Sequence, residues 1–274
     1  MPAAPNGPLP REVEVEVANY LGEQLIRPVA LDVWTRHESG LVLTDRDGGP
    51  HAEEVLATMR QLVRLHPGLT VTPYDFDKHA ARAAEAGIEL SPTTIIRSAG
   101  RSIQFSGMQS GVLFPAFLDA MSYLSRGQSP LTEESRAVID ALTTPVEIDL
   151  LGAMYDPYSG HMLRLLSAIA AQTRQVKLRV FEVAEFPRYA ARRGVTEVPI
   201  LTMNGKRLMG AWEEPALVAQ IQRVAEGNDE PVIRDRVFSN PFVTEEEARR
   251  HMAEQAGDTP AVSAPTSGLY VPGR

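Results

Sequence analysis

Pro145-Val146-Glu147-Ile148-Asp149 closely repeats Pro28-Val29-Ala30-Leu31-Asp32, 117 residues upstream. The matching continues along the chain at an offset of 107. Tyr74-Asp75 pairs with Phe181-Glu182, Gly87-Ile88 with Gly194-Val195, and Pro92 with Pro199. Each proline leads an apolar run, Thr94-Ile95-Ile96 in one half and Ile200-Leu201 in the other. A repeat of this length means two copies of one folding unit. The fall in offset puts about ten extra residues in the first copy, and Thr35 to Pro50, rich in Gly, Asp and His, reads as a loop insertion.

Hydrophobic periodicity gives each copy the order strand, helix, strand, helix, then a proline-led strand, a strand and a helix. The first copy has strands at Val29–Trp34, Thr70–Asp75, Thr93–Arg97 and Ser102–Ser106, with helices near 51–65, 78–86 and 112–124. In the second, the strands are Val146–Leu151, Lys177–Phe181, Ile200–Met203 and Arg207–Met209, and the helices lie near 159–172, 186–193 and 214–226. A leading helix precedes each copy. Thr132 is the N-cap expected for the second, over 133–142. In the first, Glu12-Val13-Glu14-Val15-Glu16-Val17 alternates like a strand, but the repeat argues for a helix over 11–25. The expected organisation is 1–127, 128–227 and an extension over 228–274. That extension holds a short charged helix from Thr244 and a Pro/Ser/Gly-rich tail expected to be disordered.

This α/β order, with a proline opening the third strand, resembles the thioredoxin fold. Two units in tandem resemble the protein disulfide oxidoreductases, or glutaredoxin-like proteins, over about residues 10–226. The most specific match is Met154-Tyr155-Asp156-Pro157-Tyr158-Ser159, which stands where the family carries a Cys-Pro-Tyr-Cys loop. Val198-Pro199 and Ser91-Pro92 match its cis-proline motif, and Gly49-Pro50-His51-Ala52 is the first copy's loop. The resemblance implies two tandem thioredoxin-like domains, each a central mixed sheet flanked by helices, plus the C-terminal extension.

The chain contains no cysteine. Gly49, Ala52, Asp156 and Ser159 occupy the four positions where the family places sulfur. Disulfide exchange requires a thiolate attacking sulfur, so no carboxylate or hydroxyl can replace it. A redox-inactive member is expected, not a thiol–disulfide enzyme, and no cofactor. What the resemblance leaves is peptide pairing beside the proline, through Ser91, Pro92, Tyr158, Val198 and Pro199, which needs main-chain groups alone. Two other readings are kept: a transferase-like enzyme holding glutathione or a similar ligand at Tyr158 or Ser159 beside Pro199, and a chaperone-like peptide binder. His161 stands two residues from Ser159, on another helix face, which argues against a Ser-His-Asp triad with Asp156.

With 27 basic against 35 acidic residues the net charge is −8, which disfavours nucleic acid as a partner. The alternating Arg174 to Val180 stretch is read as a strand with one solvated face. The six histidines form no metal motif; His37 and His51 only flank the inserted loop. No membrane insertion is expected, and the first residues lack a secretory pattern, so a cytoplasmic protein is expected. Leu269-Tyr270-Val271, an apolar cluster near the end of the tail, is a candidate docking segment for an unidentified protein partner. The functional expectation is a binding or scaffold subunit of a protein assembly.

Overall fold

The computed structural model describes residues 7–36, 51–228, 230–232 and 236–250. Its first half runs α1 (Arg11–Gln24), β1 (Val29–Thr35), α2 (Ala52–Leu65), β2 (Leu69–Asp75), α3 (Ala80–Glu85), β3 (Thr93–Ser98), β4 (Arg101–Ser106) and α4 (Leu113–Arg126). The second runs α5 (Glu133–Asp140), β5 (Val146–Gly152), α6 (Pro157–Gln172), β6 (Val176–Glu182), α7 (Pro187–Arg192), β7 (Glu197–Val198), β8 (Ile200–Met203), β9 (Lys206–Met209) and α8 (Glu214–Ala225). Residues 240–241 form β10 (Asn240–Pro241), and residues 245–250 are helical.

Eight strands form one mixed sheet in the order β2-β1-β3-β4-β6-β5-β8-β9. Within each half a parallel pair is followed by an antiparallel hairpin: β1 with β2, then β3 and β4; β5 with β6, then β8 and β9. The halves are fused through β4 and β6, which pair in parallel from Ile103↔Leu178 to Ser106↔Phe181. Helices α4 and α6 pack together above that seam, so Phe117, Met121, Leu163 and Leu166 belong to one core shared by both halves.

Glycine permits the close approach at the seam. Gly111 has φ +52°, and a Cβ there would lie 2.3 Å from the Met154 carbonyl oxygen. The amide of Val112 donates to that same carbonyl at 2.9 Å. Residues 11–24 are helical as the repeat argued, because Val13, Val17 and Leu21 recur every four residues and pack on the core. Val15 is left 56% exposed, so the alternation with glutamate does not decide the backbone. Asn204 and Gly205, at φ 47° and 85°, make the left-handed hairpin between β8 and β9. Both Ser91-Pro92 and Val198-Pro199 are cis.

Candidate functional site

The loop after β5 builds the second-half site. Asp156 is the N-cap of α6, with Pro157 in the first turn, where its missing N–H costs nothing. Its Oδ2 accepts hydrogen bonds from the Ser159 amide at 2.7 Å and the Ser159 hydroxyl at 2.5 Å. The Ser159 Oγ accepts in turn from the Ala153 amide at 3.1 Å. Asp156 Oδ1 accepts from the Asn240 side-chain amide at 2.6 Å. Asp156 and Ser159 are fully buried. The single hydroxyl proton of Ser159 is thus committed to a buried carboxylate, an arrangement that holds the loop shut. His161 does not serve this hydroxyl; its Nε2 lies 3.2 Å from the Trp212 carbonyl oxygen.

Removing the carboxylate withdraws a cap and takes the acceptor from the Ser159 hydroxyl and the Asn240 side-chain amide. Asp156→Ala is expected to cost about 2 kcal/mol in urea unfolding, and Asp156→Asn less than half of that. Equal stability of Asp156→Ala and the parent would contradict this network.

The remaining expected residues of the second half gather at the same place. Val198 precedes the cis proline, is fully buried, and pairs antiparallel with Asn240. The Tyr158 ring is half-buried, with its centroid 5.8 Å from that of Phe238. In the first half, Ser91 Oγ accepts from the Arg36 amide at 2.8 Å, and Ala52 begins α2. Pro92 and Pro199 play the same part, their carbonyls accepting from Gly107 and Gly210 at 2.9 and 3.0 Å. Gly49, His37 and Leu269, Tyr270 and Val271 of the tail lie outside the described residues.

Sequence reasoning missed two parts of this site. The first is the path of the extension. Residues 237–250 cross the second-half site and reach the first: the Tyr155 hydroxyl donates to the Val243 carbonyl at 3.1 Å and accepts from its amide at 2.7 Å. Farther on, Glu245 meets His51 Nε2 at 2.9 Å. The one signal for it in the sequence is the apolar run Val237-Phe238 and Phe242-Val243 around Asn-Pro, inside a polar segment.

The second is a buried acidic pair between the two sites. Glu182 accepts from the amides of Met154 at 3.1 Å and Glu185 at 2.7 Å, while Glu185 accepts from the Met108 amide at 2.6 Å. Burial pushes Glu182 up to about 7, although those amides partly oppose it and Glu245 adds to it. Burial likewise raises Glu185 to about 8, with the charges of Glu182 and Glu245 adding.

Among the described residues no cluster of three His, Cys, Asp or Glu side chains could hold a metal, and no helix is long and apolar enough to cross a membrane.

Comparison with solved structures gives the architecture a precedent. A protein disulfide oxidoreductase from Aeropyrum pernix K1 superposes with a TM-score of 0.69 at 21% identity, covering 84% of this chain and 99% of that one. The alkylhydroperoxide reductase AhpF of Enterococcus faecalis gives 0.67 at 17% identity, covering 78% and 99%. The fold is a tandem thioredoxin fold. At these identities the likeness concerns the fold alone. No family model and no curated protein matches the sequence. This tandem thioredoxin-like chain lacks every cysteine, which fits loss of thiol–disulfide chemistry.

Proposed function

We propose that the protein is a redox-inactive binding or scaffold subunit of a protein assembly, with units 1–127 and 128–227 as its body and the tail of the 228–274 extension as its docking segment. One observation carries this reading: the edge at Val198 is engaged in main-chain pairing with an extended segment, while the loop beside it holds a fixed Asp156–Ser159 pair in place of a thiol. Main-chain pairing supplies affinity without covalent chemistry. Ser91, Pro92, Tyr158, Val198 and Pro199 are the proposed contact positions, and Leu269, Tyr270 and Val271 the proposed docking end.

The test uses the full chain in its native cells. A specific partner is expected to co-purify, to be lost with Val198→Arg or with removal of residues 256–274, and to be identified by mass spectrometry. Insulin reduction is expected to stay at the buffer rate. A rate clearly above buffer, or the absence of any partner sensitive to either change, would overturn the reading.

Glutathione at Tyr158 or Ser159 is the weaker alternative, because Ser159 is fully buried and its hydroxyl proton is already bound to Asp156.

A further inference from the structure

The segment from Val237 to Val243 touches the second-half site as a bound peptide would. Its main chain pairs with the residues around the cis proline: Asn240 and Pro241 lie opposite Val198 and Glu197 in a separate two-stranded sheet, and the Ala211 amide donates to the Phe238 carbonyl at 2.7 Å in an isolated bridge. The Phe242 amide continues the ladder to the Thr196 carbonyl at 3.0 Å. Three side chains add selectivity. Phe238 packs against Tyr158, Asn240 donates to the buried Asp156, and the Ser239 hydroxyl bonds Glu197. Gly210 lets the segment approach, since a Cβ there would lie 2.6 Å from Val237 Cγ1 and 2.8 Å from the Phe238 carbonyl oxygen.

The hold is local. Phe238 and Val237 remain 41% and 53% exposed, so the apolar anchor contributes a fraction of what a buried core residue would. The specific elements are the ladder, one amide–carboxylate hydrogen bond and the Tyr155 clamp on Val243, all of which a second extended chain can reproduce.

We propose that residues 237–243 are a displaceable internal ligand of the Val198 groove, and that the external partner is an extended segment carrying an aromatic residue two positions before an asparagine. This rests on the binding reading above and assigns that reading its specificity. The asparagine is the chemical key: its amide is a donor, and Asp156 Oδ1 is the buried acceptor that takes it. A segment with aspartate there would bring a second carboxylate against a buried one, and is rejected.

The probe is a fluorescent peptide of sequence Val-Phe-Ser-Asn-Pro-Phe-Val, read by anisotropy against the full-length chain and two variants that loosen the resident segment and leave the groove unchanged, Phe238→Ala and Asn240→Ala. Circular dichroism confirms that each variant is folded. The peptide is expected to bind either variant at least tenfold more tightly than it binds the parent, and to lose at least tenfold when its asparagine is replaced by aspartate. Equal binding to all three chains, or none at millimolar peptide, overturns the internal-ligand proposal. In either case a native partner that still depends on Val198 leaves the binding reading standing, so the two failures are distinct.

Discussion

Gly111→Val is expected to destabilise the protein by about 4 kcal/mol and to lower the melting temperature by about 10 °C. Two penalties combine. The backbone at φ +52° lies in the left-handed region, which a β-branched residue enters at a cost of about 1–2 kcal/mol. The new Cβ would also meet the Met154 carbonyl oxygen at 2.3 Å, which is backbone and cannot rotate away. Relief requires the loop before α4 to withdraw from the loop before α6. That breaks the 2.9 Å hydrogen bond from Val112 to Met154 and the Ser110 Oγ contact to Met154 Sδ at 3.0 Å. Gly205→Ala is the internal control, since φ is +85° there but nothing lies within 4 Å of a methyl placed on its Cα. It should cost about 1 kcal/mol, the backbone penalty alone. Urea titrations of both variants test the seam, and a loss under about 1 kcal/mol for Gly111→Val would refute it.

The second large effect is on pH. In the unfolded chain Glu182 and Glu185 ionise near 4.5, whereas in the fold they keep their protons to about 7 and about 8. Between those limits the folded state binds more protons, so stability falls as pH rises. The contribution is full below about pH 4.5 and is lost as pH passes through 7 for Glu182 and 8 for Glu185. The two carboxyls lie together and the charge of Glu182 raises Glu185, so they titrate as a coupled pair and the loss of stability belongs to both jointly. The Glu182→Gln, Glu185→Gln double variant is expected to show a much flatter profile between about pH 5 and pH 8.5 than the parent. Each glutamine still accepts from the amides of Met154, Glu185 or Met108. An unchanged pH slope in the double variant would remove these groups as its cause.

Much of the fold was legible because the chain states it twice. The repeat corrected the one local signal that pointed the wrong way: Val13-x-Val15-x-Val17 alternates, but a spacing of two contains a spacing of four, and only the latter reaches the core. Element edges shifted by one or two residues, as at α4, which runs on to Arg126 before Gly127 ends it at φ 65°. The loop residues Asp156 and Ser159 were legible as a pair because they stand three apart in the loop that resembles Cys-Pro-Tyr-Cys; the hydrogen bonding by which Asp156 caps the helix came from the structure.

The fusion of the sheets was not legible. Ile103 to Ser106 meeting Leu178 to Phe181 is a contact between strands that carry no complementary signature. Nor was the arrival of Asn240 at Asp156, 84 residues away, since a lone Asn-Pro in a polar stretch reads first as a turn. Glu182 and Glu185 were hidden for a third reason. A charged residue type predicts exposure, and their burial depends on amides presented by two different loops.

The strand order also decides which sheet borders are left open to another strand. Two separate half-sheets would present four open borders, each a template for unwanted pairing and aggregation. Joining β4 to β6 abolishes two of them and leaves β2 and β9 outermost. Those two are the ones whose composition deters a newcomer. β2 contains Pro73, which has no N–H to offer, and β9 is four residues long and opens on Lys206-Arg207. The seam that makes one core of two repeats therefore also removes two borders at which another strand could pair.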